Sequence, residues 1–360
     1  MLNAERLHCV NPFVSAGNPL PYRVAMRMLC VGGSPSTGST FLADLLDSVP
    51  GIVCPPELYL YCFAEAFTFD VAFLETVASG GRFKLRAPYI APRHFVTLKL
   101  LEQSGIQREN FANLFRSGGN LFTLVEAVAT GHAELRGRDL KAFAEKTPAN
   151  VNCLRDFADL LPDGLGIHTV RNGWHVVDSL CRRGYSPIHA AAIWAIQTDA
   201  GLRASRACQN ILTLRFEALV SDPFGEAVAI AKRIGIDTDE TEVRARYEAN
   251  GFRQSILRLE TWRVKRYGIA EPSTDPSPNE LTELERVLIN QLEIRATPSS
   301  EPIQFSELQR ALGYPIDEEA SRHTQAELES RLQELCTPTG RRPGVELERR
   351  GVSFGLARLS

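Results

Sequence analysis

The stretch 33–40, which reads GSPSTGST, constrains this chain more than any other. It fits the phosphate-loop pattern G-x-x-x-x-G-K-[ST] everywhere except at the lysine, where Ser39 stands. Its context fits as well. The preceding run, 26–33 (MRMLCVGG), is apolar and ends in glycines, as expected of a buried parallel strand. The following run places Phe41, Leu42, Leu45, Leu46 and Val49 at helical spacing. Strand, glycine-rich turn and helix therefore follow one another. Backbone N–H groups at such a helix start lack partners within the helix, and the helix dipole adds to their pull on an anion. Ser36, Thr37, Gly38, Ser39 and Thr40 are the candidate contacts, four of them with hydroxyls able to donate. Without the lysine that neutralises a triphosphate, the loop suits a smaller anion such as one 5′-phosphate. The plainer alternative is a Gly/Ser turn with no ligand.

Two further segments strengthen the ligand reading. In 144–148 (AEKTP), Lys146 ends a short apolar run. In 170–180 (VRNGWHVVDSL), Arg171 ends a strand and Ser179 follows eight residues later within the next helix, which closes on Arg182 and Arg183. A guanidinium grips phosphate through two parallel bonds, and a serine hydroxyl adds a third.

Taken in order, these three segments resemble the PAPS-dependent sulfotransferases, PAPS being 3′-phosphoadenosine 5′-phosphosulfate. The similarity is greatest to the tyrosylprotein-sulfotransferase-like branch and its bacterial relatives. The resemblance implies that 33–40 holds the 5′-phosphosulfate, that Arg171, Ser179 and Arg183 hold the 3′-phosphate, and that Lys146 lies near the transferred group. That branch carries a P-x-x-x-C-x-x-E run after the first helix, matched here by 50–57 (PGIVCPPE). The resemblance thus makes Glu57 the candidate general base. The cytosolic relatives have a histidine base two residues after the lysine; Pro148 occupies that place here, which favours Glu57. The segment 215–223 (RFEALVSDP) is also similar to a family stretch near the nucleotide. One departure stands out: Ser36 replaces the family's usual Arg or Lys. Arg82, Lys84 and Arg86 are candidates to supply that charge from another loop.

Several residues have a plainer reading as well. Glu57 also suits an exposed helix start, and Lys146 a solvated strand end paired with Glu145. Arg182 competes with Arg183 for the site. Trp174 fits adenine stacking or a core position equally. His94 is a candidate to meet the acceptor or a solvated loop residue. Arg258, Trp262 and Lys265 form one helix face, over the nucleotide or in water.

Strands alternating with helices predict an α/β, phosphate-loop (P-loop NTPase-like), three-layer fold with a central, mainly parallel sheet. Residues 1–22 read as an irregular segment, 23–316 as the main domain, and 317–360 as a polar, partly flexible extension. From 278 onward the pattern is helical and charged. The 360 residues carry a net charge of -3, which gives no case for nucleic acid or an anionic membrane as partner. No run approaches the roughly 20 apolar residues of a membrane span, so a cytoplasmic enzyme is expected. The eight cysteines form no CxxC pair and read as buried thiols, and the histidines show no metal-binding spacing, so no metal is expected. The expected activity is PAPS-dependent transfer of a sulfuryl group to a small-molecule acceptor, with PAP (3′,5′-adenosine bisphosphate) as product. A small-molecule kinase of the same fold, or a nucleotide-binding protein impaired in catalysis, are the alternatives.

Overall fold

Short apolar runs need cover on both faces, and five of them meet in one sheet. In the computed structural model, β1 (Arg27–Gly33) lies at the centre between β3 (Ala142–Lys146) and β4 (Leu165–Val170). β2 (Ile52–Val53) and β5 (Ile211–Arg215) form the edges, and every pairing is parallel. The described residues are 26–55, 57–62, 113, 121–250, 281–316, 323–336 and 351–357. The expectations for 1–22, for Pro56, Arg82, Lys84, Arg86 and His94, and for Arg258, Trp262 and Lys265 lie outside them.

Helices cover both faces. On one, Leu42, Leu45 and Leu46 of α1 (Ser39–Ser48) pack with strand residues Val31 and Ile167. On the other, Val125 and Val128 of α2 (Leu121–Leu135) and Phe157 of α3 (Leu154–Leu160) pack with Phe143. After β4 come α4 (Gly173–Cys181) and α5 (Pro187–Ala207), each with its own start signal. Asn172 caps the first by accepting from the Trp174 amide; Ser186 caps the second, with Pro187 at its first position. After β5, α6 (Phe216–Ser221), α7 (Pro223–Arg233) and α8 (Glu240–Asn250) return to the α1 side, where Ala227, Ile230 and Val243 join its core. The three-layer, mainly parallel α/β expectation holds.

The region after 278 differs from its helical reading. It contains α9 (Glu283–Asn290), β6 (Leu292–Arg295), β7 (Ile303–Gln304) and α10 (Phe305–Ala311). Within the segment expected as a polar extension, α11 (Gln325–Cys336) buries Leu328 and Leu335, and β8 (Ser353–Leu356) pairs with β6. The strands form a second, antiparallel sheet ordered β7-β6-β8, with a core shared with α4 and α5. Pairing across some sixty residues leaves no local pattern to read. Among the described cysteines, Cys30, Cys54, Cys62 and Cys153 are buried, whereas Cys181, Cys208 and Cys336 are only half-buried. No helix among the described residues is long and apolar enough to cross a membrane.

Candidate active site

The site forms where β1 meets α1. Gly38 has φ +86 and sits at the N-cap, with no side chain capping the helix. The Leu42 amide bonds the Gly38 carbonyl at 2.9 Å, so the first-turn amides ahead of it have no acceptor within the helix. Thr37 turns inward. Its hydroxyl donates to the Ser34 carbonyl at 2.6 Å and lies 2.7 Å from the Thr169 hydroxyl, while its amide bonds the same carbonyl at 3.3 Å. Thr37 therefore shapes the loop, and its hydroxyl and amide do not face outward as donors. Among the described residues, two non-glycine residues have positive φ: Ser36 at 72° and Tyr59 at 60°. Both belong to this site, where backbone strain persists only because the surroundings impose it.

One side of the loop faces α4. Arg183 Nη2 donates to Ser36 Oγ at 2.9 Å, Ser179 Oγ lies 3.0 Å from the same atom, and Arg171 Nη1 donates to the Ser36 carbonyl at 3.2 Å. Arg182 pairs instead with Asp178 at 2.7 Å, so of the two arginines it is Arg183 that meets the loop. Two guanidinium groups thus reach the position where Ser36 lacks the family's positive charge. Arg171 lies 4.2 Å over the Phe216 ring, and burial holds its pKa below the usual value against the pull of Glu217. Its Nε is buried with no hydrogen-bond partner. Trp174 is a core residue, 2% exposed and 4.9 Å from the Phe305 ring.

The other side holds Lys146, at the end of β3 and 1% exposed. Its Nζ lies 2.5 Å from Glu57 Oε1 and 3.3 Å from Thr40 Oγ1. Lys146 pairs with Glu57 rather than with its neighbour Glu145, which points away into the core. Tyr59 donates its hydroxyl to Glu57 Oε2 at 3.0 Å. The structure therefore gathers Glu57, Lys146 and Thr40 at one side of the helix start, and Ser36, Arg171, Ser179 and Arg183 at the other. Ser39 opens α1 between them and is 4% exposed.

Sequence reasoning missed four supporting residues: Thr169, Tyr59, Gln309 and Tyr314. Gln309 donates to Asn172 Oδ1 at 3.0 Å and accepts from the Gly173 amide at 2.9 Å. Tyr314 donates to Glu217 Oε2 at 2.7 Å, while Glu217 Oε1 accepts from the Asn172 amide at 3.4 Å. Gln309 and Tyr314 lie far from the Arg171 segment in sequence, and only the fold joins them to it. Among the described residues no group of His, Cys, Asp and Glu could hold a metal ion.

The phosphate-loop turn and the helix it opens thus meet a lysine, a carboxylate and two arginines. The model of the sulfotransferase family matches residues 29–240, more than half of the chain, and the chain belongs to that family. Two solved structures share its fold. The sulfotransferase domain of the olefin synthase from Synechococcus PCC 7002 is 20% identical, with a TM-score of 0.50 over 83% of this chain and 98% of that one. The sulfotransferase domain from the curacin biosynthetic pathway is 16% identical, with a TM-score of 0.53 over 82% of this chain and 100% of that one. No curated protein gives a significant match.

Proposed function

We propose that this chain transfers a sulfuryl group from PAPS to a hydroxyl or amine of a small-molecule acceptor. The observation that carries the reading is the single ammonium of Lys146, which touches both Glu57 and the first turn of α1. It brings a carboxylate and a cation together at the start of an uncapped helix. The donor fits the residues present: Arg171 keeps a buried Nε without a partner, and the first-turn amides lack helical acceptors. PAPS supplies a sulfuryl group on a 5′-phosphate; the acceptor oxygen or nitrogen bonds to sulfur as the sulfur–oxygen bond to that phosphate breaks. Glu57 takes the acceptor's proton. Lys146 and the first-turn amides stabilise the charge growing on the 5′-phosphate, a task of positioning and electrostatics. Arg171, Ser179 and Arg183 hold the 3′-phosphate.

The binding test is thermal unfolding with PAP and, separately, with ATP and Mg²⁺. PAP at about 100 times its dissociation constant should add about 2.7 kcal/mol of stability. A larger, Mg²⁺-dependent shift with ATP would overturn the reading in favour of a kinase. Labelled PAPS offered with a panel of alcohols, phenols and amines should yield a labelled product; binding of PAP without transfer to any of them would mark a non-catalytic nucleotide binder.

A further inference from the structure

Glu145 is fully buried, and burial pushes its pKa up against the opposing pull of its hydrogen bonds. Such a group is costly in a core unless its oxygens are satisfied. Glu145 Oε1 accepts from the Leu58 amide at 3.1 Å, the Tyr59 amide at 3.1 Å and the Thr147 hydroxyl at 2.6 Å. Oε2 accepts from Asn150 Nδ2 at 2.5 Å. The Tyr59 amide also reaches Thr147 Oγ1 at 3.2 Å. The carboxylate is thus spent on the two residues that follow Glu57 and on the side chains that brace it.

Successive side chains of a strand point to opposite faces. Lys146 leaves one face of β3 and takes Glu57 Oε1; Glu145 leaves the other and takes the backbone just beyond it. The bonds to Glu145 hold Tyr59 at φ 60°, a backbone state that a tyrosine avoids when free. In that state the Tyr59 hydroxyl turns back onto Glu57 Oε2. We infer that Glu145 is a positioning residue: by holding the amides of Leu58 and Tyr59, its carboxylate sets Glu57 where it takes the acceptor's proton. This rests on the reading of Glu57 as the base. Glu145 itself has no route to the acceptor, being 0% exposed and bonded at both oxygens.

The test compares two acceptors of labelled PAPS at pH 8. One is 2-phenylethanol, which must lose a proton; the other is 4-nitrophenol, already ionised at that pH. Glu57→Gln should cut transfer to the alcohol by about 100-fold or more and largely spare the phenolate. Glu145→Gln should cut alcohol transfer by about 10- to 100-fold, the scale of a misplaced catalytic group, again sparing the phenolate and PAP affinity. The double variant should fall no lower than Glu57→Gln alone, because the two act as a unit. Equal loss with both acceptors, weakened PAP binding, or losses that multiply in the double variant would overturn the positioning role while leaving the base in place. Alcohol transfer that survives Glu57→Gln overturns the base reading itself. Should Glu145→Gln fail to fold, Thr147→Val removes the link from Thr147 to both Glu145 and the Tyr59 amide, and should give the same alcohol-selective loss.

Discussion

At the scale of single residues, the proposed donor side of the site turns on Arg171. It follows β4 directly, its carbonyl accepts from Trp194 Nε1 at 3.1 Å, and Phe216 lies under its guanidinium. A group fixed this firmly loses little freedom on meeting a phosphate. Arg171→Ala should therefore weaken PAP binding by about 1.5–3 kcal/mol, the worth of a charge-assisted bond. Binding of 5′-AMP, which lacks the 3′-phosphate, should change far less. Calorimetry with both ligands checks this, and equal losses would remove Arg171 from the 3′-phosphate. Its neighbours show what a sequence reveals. The arginine and serine spacing was legible because both lie on one strand–helix unit. The choice between Arg182 and Arg183 was not, because it depends on which side of α4 each leaves, and Asp178 takes Arg182. Glu145 and Lys146 looked like a pair from adjacency alone, yet strand alternation sends them apart.

At the scale of elements, the start of α1 depends on Gly38. A β-carbon there would meet Phe216 Cδ2 at 2.4 Å, and φ +86 suits only glycine well. The ring it would strike is the one beneath Arg171, so the change should disturb both the loop and the donor side. Gly38→Ala should cost about 1–3 kcal/mol of stability, seen as a lower urea midpoint at unchanged slope. PAP affinity should fall with it. An unchanged midpoint would mean that the loop adopts another path without loss. The glycine was legible from the loop pattern; its closeness to Phe216, which opens α6, was not, because the two lie far apart in sequence and meet only where β1 and β5 flank β4.

At the scale of the whole molecule, the parallel sheet was legible and the antiparallel one was not. β1, β3 and β4 are buried along nearly their whole length and announce themselves as apolar runs. β7 has two residues and β6 and β8 have four each, too few for a period to show, and β8 meets β6 only across some sixty residues. Yet the elements after 281 reach the Arg171 side of the site, since Gln309 and Tyr314 tie them to Asn172 and Glu217. Where the two parts share α5, its Gly201 packs directly on the ring of His168 from β4. That ring is fully buried, both nitrogens lack partners, and burial lowers its pKa from 6.5 to about 3. The folded chain thus refuses a proton that the unfolded chain accepts. The stability that neutral His168 permits is complete above pH 6.5 and drains away as the pH falls toward 3. Between pH 7.5 and 5.5 this one group should cost the fold about 1.4 kcal/mol, close to a tenfold change in the unfolding constant. Urea unfolding of the wild type and of His168→Leu at both pH values isolates it from the other titrating groups. The variant's stability should drop by about 1.4 kcal/mol less across that interval, whatever its absolute value. An identical drop in both proteins would show that His168 takes up its proton in the folded state and is not held neutral by the core.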